Sequence, residues 1–532
     1  MYEAKYSKYI TKNTARFAEP SEIKSFCKPI EKNSGSESCG APMYYENGVL
    51  YIDDSDVHHM TCGNTGCKKS RLQAFTTVNS TLNSGENAVI NDPKGEIFKE
   101  TSELAKAKGY NTYVLNLRDV TKSNGWNPLS LAYDLFIENK IADAHQNIND
   151  ITESIIGPAR NTTTDIYWAN SGGTVFTASA FCLMDSVPRK YFNLSNVIQL
   201  TNESTTDTFR RMLSNMDQKS SAANLMHGYL DLGAEKTLSC IYSALKACLT
   251  PFVQNEPLLD LLCRDEIDFK KLAYEKTVIY IIYPDEKESL CFLINLFLTQ
   301  CYQALVSEAS KQENGRLPKR VNFIIDEFSN LPEVNNFSNR ISEARGRNIR
   351  YFLFIQSFSQ LKNKYKENAD TIKANCDWII FPSKEIKFLE EISSMCGKVQ
   401  DYRGREKPLM SAEDIMHLKK FQDCAEVLII KNGQYPFVSK IPDYEYIDIF
   451  GKYPKGRLDE ITACDSPVFF SFDEWIENIG KKFNFPFPKT PRTVDLRVET
   501  KPNKEHKVIN ENDIQAELER KFDELFGSLE DD

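Results

Sequence analysis

The sequence predicts an α/β fold whose mainly parallel sheet is interrupted by an inserted all-helical domain. Three observations lead there. From Val49 to about Ser130, apolar runs of strand length alternate with helical stretches, the pattern of βαβ units and hence of a parallel sheet. Between about Ser130 and Phe269 the strand signals fade and a helical period takes over, as at 206–216 and 238–249. Beyond Phe269 the strand pattern returns. The resulting division is an N-terminal arm at 1–45, a sheet domain in two parts at 46–135 and 271–450, the helical insertion at 136–270, and an irregular tail at 451–532.

Taken in order, residues 1–45 are polar and weakly periodic. A short strand at 57–62 runs into a glycine-rich loop and a helix from Ser70 to about Asn83. Ala88-Val-Ile-Asn reads as a strand, 97–108 as a helix and 113–117 as another strand. After the insertion come Thr277-Val-Ile-Tyr-Ile-Ile-Tyr, Val321-Asn-Phe-Ile-Ile, Arg350-Tyr-Phe-Leu-Phe-Ile, Asp377-Trp-Ile-Ile-Phe and Glu426-Val-Leu-Ile-Ile. Continuous apolar strands of this kind are buried on both faces, as at the centre of a doubly wound sheet. The apolar run at 290–306 is broken by Asn295, Thr299, Gln300 and Gln303, so it falls short of the ~18 apolar residues a bilayer span requires. It reads as a buried core helix. Past Ile449 the chain turns proline-rich, and 496–508 is charged and outside any core. At the end, Ile514, Leu518, Phe522 and Leu525 share one helical face with Asn512 as cap, which fits a partner-docking helix or one packed on its own domain.

Bulk properties narrow the function. A chain of 532 residues calls for two or three domains, and 41% hydrophobic content excludes a disordered chain. A net charge of −10 excludes a protein that coats nucleic acid through a basic surface. It leaves room for a motor that grips DNA with a few local cations. The fourteen cysteines contain no C-x-x-C pair. Cys62 and Cys67 with His58 and His59 lack zinc-finger spacing, so reduced, mostly buried thiols are expected. The N-terminal residues lack the apolar core of a signal peptide. The expected location is therefore cytoplasmic, with any membrane contact made through partners.

The chemistry starts at Gly63-Asn64-Thr65-Gly66-Cys67-Lys68-Lys69-Ser70-Arg71. A phosphate loop needs glycines so that backbone N–H groups wrap the phosphates, a lysine for the outer phosphates and a Ser or Thr for magnesium. Gly63, Lys69 and Ser70 fit G-x-x-x-x-G-K-S/T, but Lys68 stands where the second glycine belongs. Read alone, the segment is also compatible with a surface turn before a helix. Support comes from Val321-Asn-Phe-Ile-Ile-Asp326-Glu327, a buried strand ending in paired acids. There Asp326 would serve magnesium, and Glu327 would orient or deprotonate water. Gln356 ends the next strand, where an uncharged amide suits a γ-phosphate sensor. Arg345 and Arg347 precede that strand as candidate guanidiniums for a neighbouring subunit's nucleotide. Asn91-Asp-Pro-Lys-Gly-Glu96 reads locally as a turn.

In this order the motifs resemble the type IV coupling proteins, the TraG-type ATPases of conjugative transfer, which belong with the RecA-like hexameric DNA translocases. The resemblance runs over about residues 10–440. It rests on Asn13-Thr-Ala-Arg-Phe-Ala-Glu-Pro-Ser-Glu-Ile, the loop at 63–70, Asp92-Pro-Lys-Gly-Glu96, Trp126-Asn-Pro-Leu129, Tyr167-Trp168, Ile325-Asp-Glu-Phe-Ser-Asn-Leu331, Arg345-Gly-Arg-Asn-Ile349, Gln356-Ser-Phe-Ser-Gln360 and Ile372-Lys-Ala-Asn-Cys376. It implies a RecA-like P-loop NTPase domain using ATP and Mg2+, a homo-hexamer, and a helical domain that recruits cargo. The implied partners are DNA, relaxase and relaxosome proteins, the ATPases of the type IV secretion channel and its inner-membrane components, which would hold the chain at the inner face of the cell membrane. Two departures stand out. Relatives usually carry N-terminal transmembrane helices, and this sequence shows none. Lys68 replaces a glycine, which leaves a catalytically weak receptor scaffold as the alternative, beside a related DNA pump in defence or packaging.

Overall fold

Three short strands, β1 (Lys28–Ile30), β2 (Ala41–Glu46) and β3 (Val49–Asp53), form an antiparallel sheet in the order β1-β3-β2. β1 and nearly all of β2 belong to the part of the chain expected to be a polar arm, and the helix Pro20–Phe26 precedes them. The correction has a local cause. Glu22 accepts the Glu19 N–H at 2.8 Å and takes both arms of Arg16 at 2.6 and 2.5 Å, which closes the start of the helix. Ile23, Cys27, Ala41 and Met43 then join the main hydrophobic core. In the computed structural model the described residues are 15–30, 38–160, 166–215, 219–230, 235–284, 290–400 and 403–461. The first fourteen residues and the expected terminal helix at 513–525 lie outside them.

The central sheet is built from β4 (His58–Cys62), β5 (Asn87–Asn91), β6 (Asn111–Asn116), β7 (Thr277–Ile282), β8 (Val321–Ile325), β9 (Ile349–Ile355) and β10 (Cys376–Ile380). A small antiparallel pair follows, β11 (Lys398–Gln400) with β12 (Glu406–Pro408). The strands β13 (Cys424–Ile430) and β14 (Phe437–Pro442) complete the large sheet, whose order is β14-β13-β10-β4-β9-β8-β5-β7-β6. From β10 to β6 every pairing is parallel, and at the other edge β13 pairs antiparallel with both β10 and β14. Every residue of β4, β5, β7, β8, β9 and β10 is buried. Burial on both faces accounts for the largely apolar sequences of β7, β8 and β9. The expected α/β fold with a mainly parallel sheet is what forms.

Between β6 and β7 the described residues carry helices and turns only, among them Ile141–Arg160, Ile166–Ser186 and Glu235–Val253. The apolar run expected as a core helix is Cys291–Ser310, and it is largely buried. Its polar interruptions have a purpose. Gln303 bonds Asn147 and Asp150, each at 2.9 Å, and Gln300 donates to Pro128 O at 2.6 Å. Gln300 and Gln303 thus fasten this helix to Ile141–Arg160 through Asn147 and Asp150, while Asn295 donates to Glu333 O and Thr299 accepts from Arg340. No described helix is long and apolar enough to cross a membrane.

Candidate nucleotide site

The C-terminal ends of three adjacent strands, β4, β9 and β8, meet at one place, a usual position for ligands in open α/β sheets. The loop leaves β4 at Gly63, whose N–H donates to Ile355 O at 3.2 Å. Only glycine fits there, because a Cβ would lie 2.6 Å from both Cys67 Sγ and Phe381 Cβ. The Cys67 N–H closes a turn on Asn64 O at 3.1 Å, and Gly66 takes φ +80°. Lys68 then adopts φ +70°, the left-handed region that a side chain disfavours. The glycine expected at this position thus answers a real backbone demand, and Lys68 meets it at a cost of about 1 kcal/mol. The chain next enters one turn of wide winding at Ser70–Ala74, which continues as the α-helix Phe75–Ser84. Free N–H groups at such a start attract anions.

The polar groups singled out in the sequence converge here. Lys69, only 5% exposed, sets its ammonium 3.2 Å from Glu327 Oε1. The Ser70 hydroxyl donates to Asp326 Oδ2 at 3.0 Å. Gln356 donates through Nε2 to Glu327 Oε2 at 2.7 Å, and Thr65 donates to Gln356 Oε1 at 3.1 Å. The paired acids do not lie directly beside the loop strand. β9 intervenes, and its terminal Gln356 bridges the two. Glu327 itself sits at φ +54°, a strained backbone for a non-glycine and a hallmark of functional positions. Burial, and then the charge of Glu327, push the Asp326 carboxyl up to about 6. An acid held this way gains from a cation. With the Ser70 hydroxyl it offers an oxygen donor pair suited to Mg2+, so the residues present fit that ion.

Some positions depart from expectation, and some residues were missed. Arg71 turns away from the loop to bond Asp443 at 2.8 and 3.1 Å and Glu445 at 2.6 Å. The Lys68 ammonium lies 2.5 Å from Gln422 O and 3.5 Å from Asp443. Arg345 and Arg347 occupy the turn before β9, at the opposite end of that seven-residue strand from Gln356, roughly 20 Å away at ~3.3 Å per residue. Arg345 is exposed there and Arg347 pairs with Glu343 at 2.7 Å, so neither reaches the loop of its own chain. The turn at Asn91–Glu96 does more than punctuate. Asn91 Nδ2 holds the Asp326 carbonyl at 2.7 Å, and Asp92, which burial pushes up to about 7, caps the next helix through the Phe98 N–H at 2.7 Å. Asn91, Lys420, Gln422 and Asp443 carried no spacing signal. An asparagine ending an otherwise apolar strand was the one available hint.

The weak zinc alternative dissolves. His58 and His59 open β4, at the other end of the strand from Cys62. His59 meets Asp53 and Asp377 within metal-ligand spacing, but the Lys431 ammonium lies 2.5 Å from Asp53 and 2.9 Å from Asp377 and supplies the positive charge.

Residues 16–402 match the family described as type IV secretory system conjugative DNA transfer. The type IV secretion system-coupling protein VirD4 of Bartonella quintana is 23% identical over 392 residues, covering 70% of this chain and 57% of that one. Coupling protein TraD of Escherichia coli K12 is 23% identical over 419 residues, covering 76% and 53%. The chain thus spans about half the length of these curated relatives. Among solved structures, the plasmid coupling protein TrwB with a non-hydrolysable ATP analogue superposes with a TM-score of 0.55 at 16% identity, covering 86% of this chain and 100% of that one. TrwB with ADP and Mg2+ gives 0.55 at 15% identity, covering 86% and 96%. The matched stretch contains the loop at 63–71 and the acids at 326–327, and this chain belongs to the type IV conjugative DNA-transfer family.

Proposed function

We propose that this chain is an ATP-hydrolysing coupling protein that drives DNA toward a type IV secretion channel. One observation carries the reading: Lys69, Ser70, Asp326, Glu327 and Gln356 form a single hydrogen-bonded group at the ends of three adjacent strands. The TrwB complexes with an ATP analogue and with ADP and Mg2+ support the same ligands here. The family match supports DNA as the transported polymer.

In the resting arrangement Lys69 neutralises Glu327. ATP entering the loop draws the Lys69 ammonium to its β- and γ-phosphates and frees one oxygen of Glu327. The other oxygen stays fixed by Gln356 at 2.7 Å and Asn330 at 3.3 Å, so the freed one is aimed rather than loose. It takes a proton from the attacking water. The oxygen of that water bonds to the γ-phosphorus, and the bond to the bridging oxygen breaks, with its electron pair leaving on ADP. Ser70 and Asp326 would hold Mg2+, which would supply neutralising charge to the phosphates.

Arg345 and Arg347 lie far from their own loop, which suits a role at a neighbour's nucleotide in a homo-hexamer. The inserted helices would receive relaxase and relaxosome proteins. The channel ATPases and inner-membrane components would hold the assembly at the cytoplasmic face of the membrane. The test is DNA-stimulated ATPase activity of the natural chain beside Lys69→Ala and Glu327→Gln. Equal inactivity of all three with DNA and Mg2+ present ends the motor reading. The left-handed Lys68 keeps a second reading in play, a cargo receptor with an inert loop. Titration with ATP separates the two, since the receptor gives no binding.

A further inference from the structure

The outer side of the phosphate loop is tied to the strand hairpin at the sheet edge by two crossed lysines. The Lys68 ammonium, from the loop, ends on the main-chain carbonyl of Gln422 at 2.5 Å. The Lys420 ammonium, from the segment entering β13, ends on the main-chain carbonyl of Gly66 in the loop. Each lysine thus grips the main chain two residues away from the other. The hairpin side is itself anchored. Asp443, fully buried just past β14, lies 3.5 Å from Lys68 and accepts two bonds from Arg71, while its N–H donates to Asp423 O at 2.7 Å. Tyr444 packs edge-on against Phe75 of the following helix, with ring centres 5.0 Å apart.

We propose that Lys68 and Lys420 are positioning residues for the nucleotide. The crossed tether holds the loop in its phosphate-binding conformation, and Lys68 acts through it rather than as a phosphate ligand. The inference rests on the nucleotide reading given above. Its physical basis is the balance at Lys68. The left-handed backbone there costs a side chain about as much as one tenfold step in an equilibrium constant. One hydrogen bond from the ammonium to Gln422 O and an ion pair with the buried Asp443 offset that cost. Removing only the ammonium leaves the cost without the offset. Removing the whole side chain removes both.

That balance fixes an order of affinities unlike that of any phosphate-binding lysine. A non-hydrolysable ATP analogue with Mg2+ is titrated calorimetrically into the whole chain and its variants, each checked for an unchanged melting midpoint. Lys68→Ala is expected to bind roughly tenfold more weakly. Lys68→Gly stays within about threefold of the natural chain, because strain and tether leave together. Lys420→Ala weakens binding by roughly fivefold, and Lys420→Arg restores it. The double variant Lys68→Ala with Lys420→Ala is no weaker than Lys68→Ala alone, since the two lysines work as one unit. In steady state KM moves with these values and kcat holds. Equal losses for Lys68→Ala and Lys68→Gly would make the ammonium a phosphate ligand and overturn the tether. Unchanged affinity in Lys68→Ala and Lys420→Ala overturns it as well. If the natural chain itself binds no ATP, the nucleotide reading falls and takes the tether with it.

Discussion

The two ends of the central sheet are built from the same strands and treat charge in opposite ways. At the N-terminal ends of β4, β9 and β10, every buried charge is matched in place. Arg350, 1% exposed, spends its donors on Asn322 at 2.9 Å, Ser55 O at 2.8 Å, Cys39 O at 3.0 Å and Glu86 at 3.2 Å. Burial disfavours a charge on Asp53, yet the bond from His59 and the charge of Lys431 hold its carboxyl far below the usual range. At the C-terminal ends the matching is provisional. Glu327 and Lys68 carry strained backbones, Asp326 and Asp92 are pushed upward, and Lys69 is paired with Glu327, which the proposed mechanism has it leave. One end converts buried charge into stability. The other keeps charge and strain available for a ligand.

The contrast breaks if the wrong end responds, and the largest effect tests it first. Glu327→Gln should lower turnover by about 10²–10⁴-fold while binding ATP at least as tightly, since Lys69 is released from its ion pair. Quenched-flow turnover with equilibrium titration reads both, and a matching loss of affinity would make Glu327 a binding group instead. At the opposite end, Lys431→Met strands Asp53 against Asp377 and should cost about 3–5 kcal/mol in urea unfolding, with ATP affinity of the folded protein unchanged.

Acid separates the ends more finely. Burial lowers His58 to about 4, so the folded chain leaves it neutral while the unfolded chain protonates it near 6.5. Its stability contribution is complete above about pH 6.5 and is lost as pH falls toward 4, by about 3 kcal/mol. His58→Asn should flatten the urea midpoint across that window. At the nucleotide end, Asp326 at about 6 predicts that magnesium-dependent turnover declines as pH drops below that value, because a proton replaces the metal. The smallest expected effect is Gln356→Ala, about tenfold in kcat, since Asn330 still holds Glu327.

Much of the candidate nucleotide end was legible in the sequence, because its segments start at strand ends: the loop from Gly63 directly after β4, Asp326 and Glu327 after β8, Gln356 after β9. Strand periodicity and short motifs suffice for such placement. The tether was not legible, because Lys420, Gln422 and Asp443 lie some 350 residues or more from their partners in the loop, and only the strand order brings them near. The matched charges at the other end were hidden for a different reason. Arg350 and Asp377 read as the first residues of apolar strands, and burial of a charge there leaves no compositional trace. Residues 20–30 and 38–46 misled because Ser21, Ser25 and Lys28 are exposed while Ile23, Cys27, Ile30, Cys39 and Met43 are buried.

The register of β6 against β7 has a consequence for how this chain has been assembled. The two strands are adjacent and parallel, pairing Asn111 with Thr277 through Asn116 with Ile282, so any connection of a dozen residues or so would join them. Residues 117–276 occupy that connection. To the sheet, the whole helical segment is topologically equivalent to one ordinary crossover helix. An exchanged or shortened segment is expected to leave strand order, the loop at 63–70 and the paired acids in register, so the cargo-receiving role proposed for it can diversify without rebuilding the proposed nucleotide site.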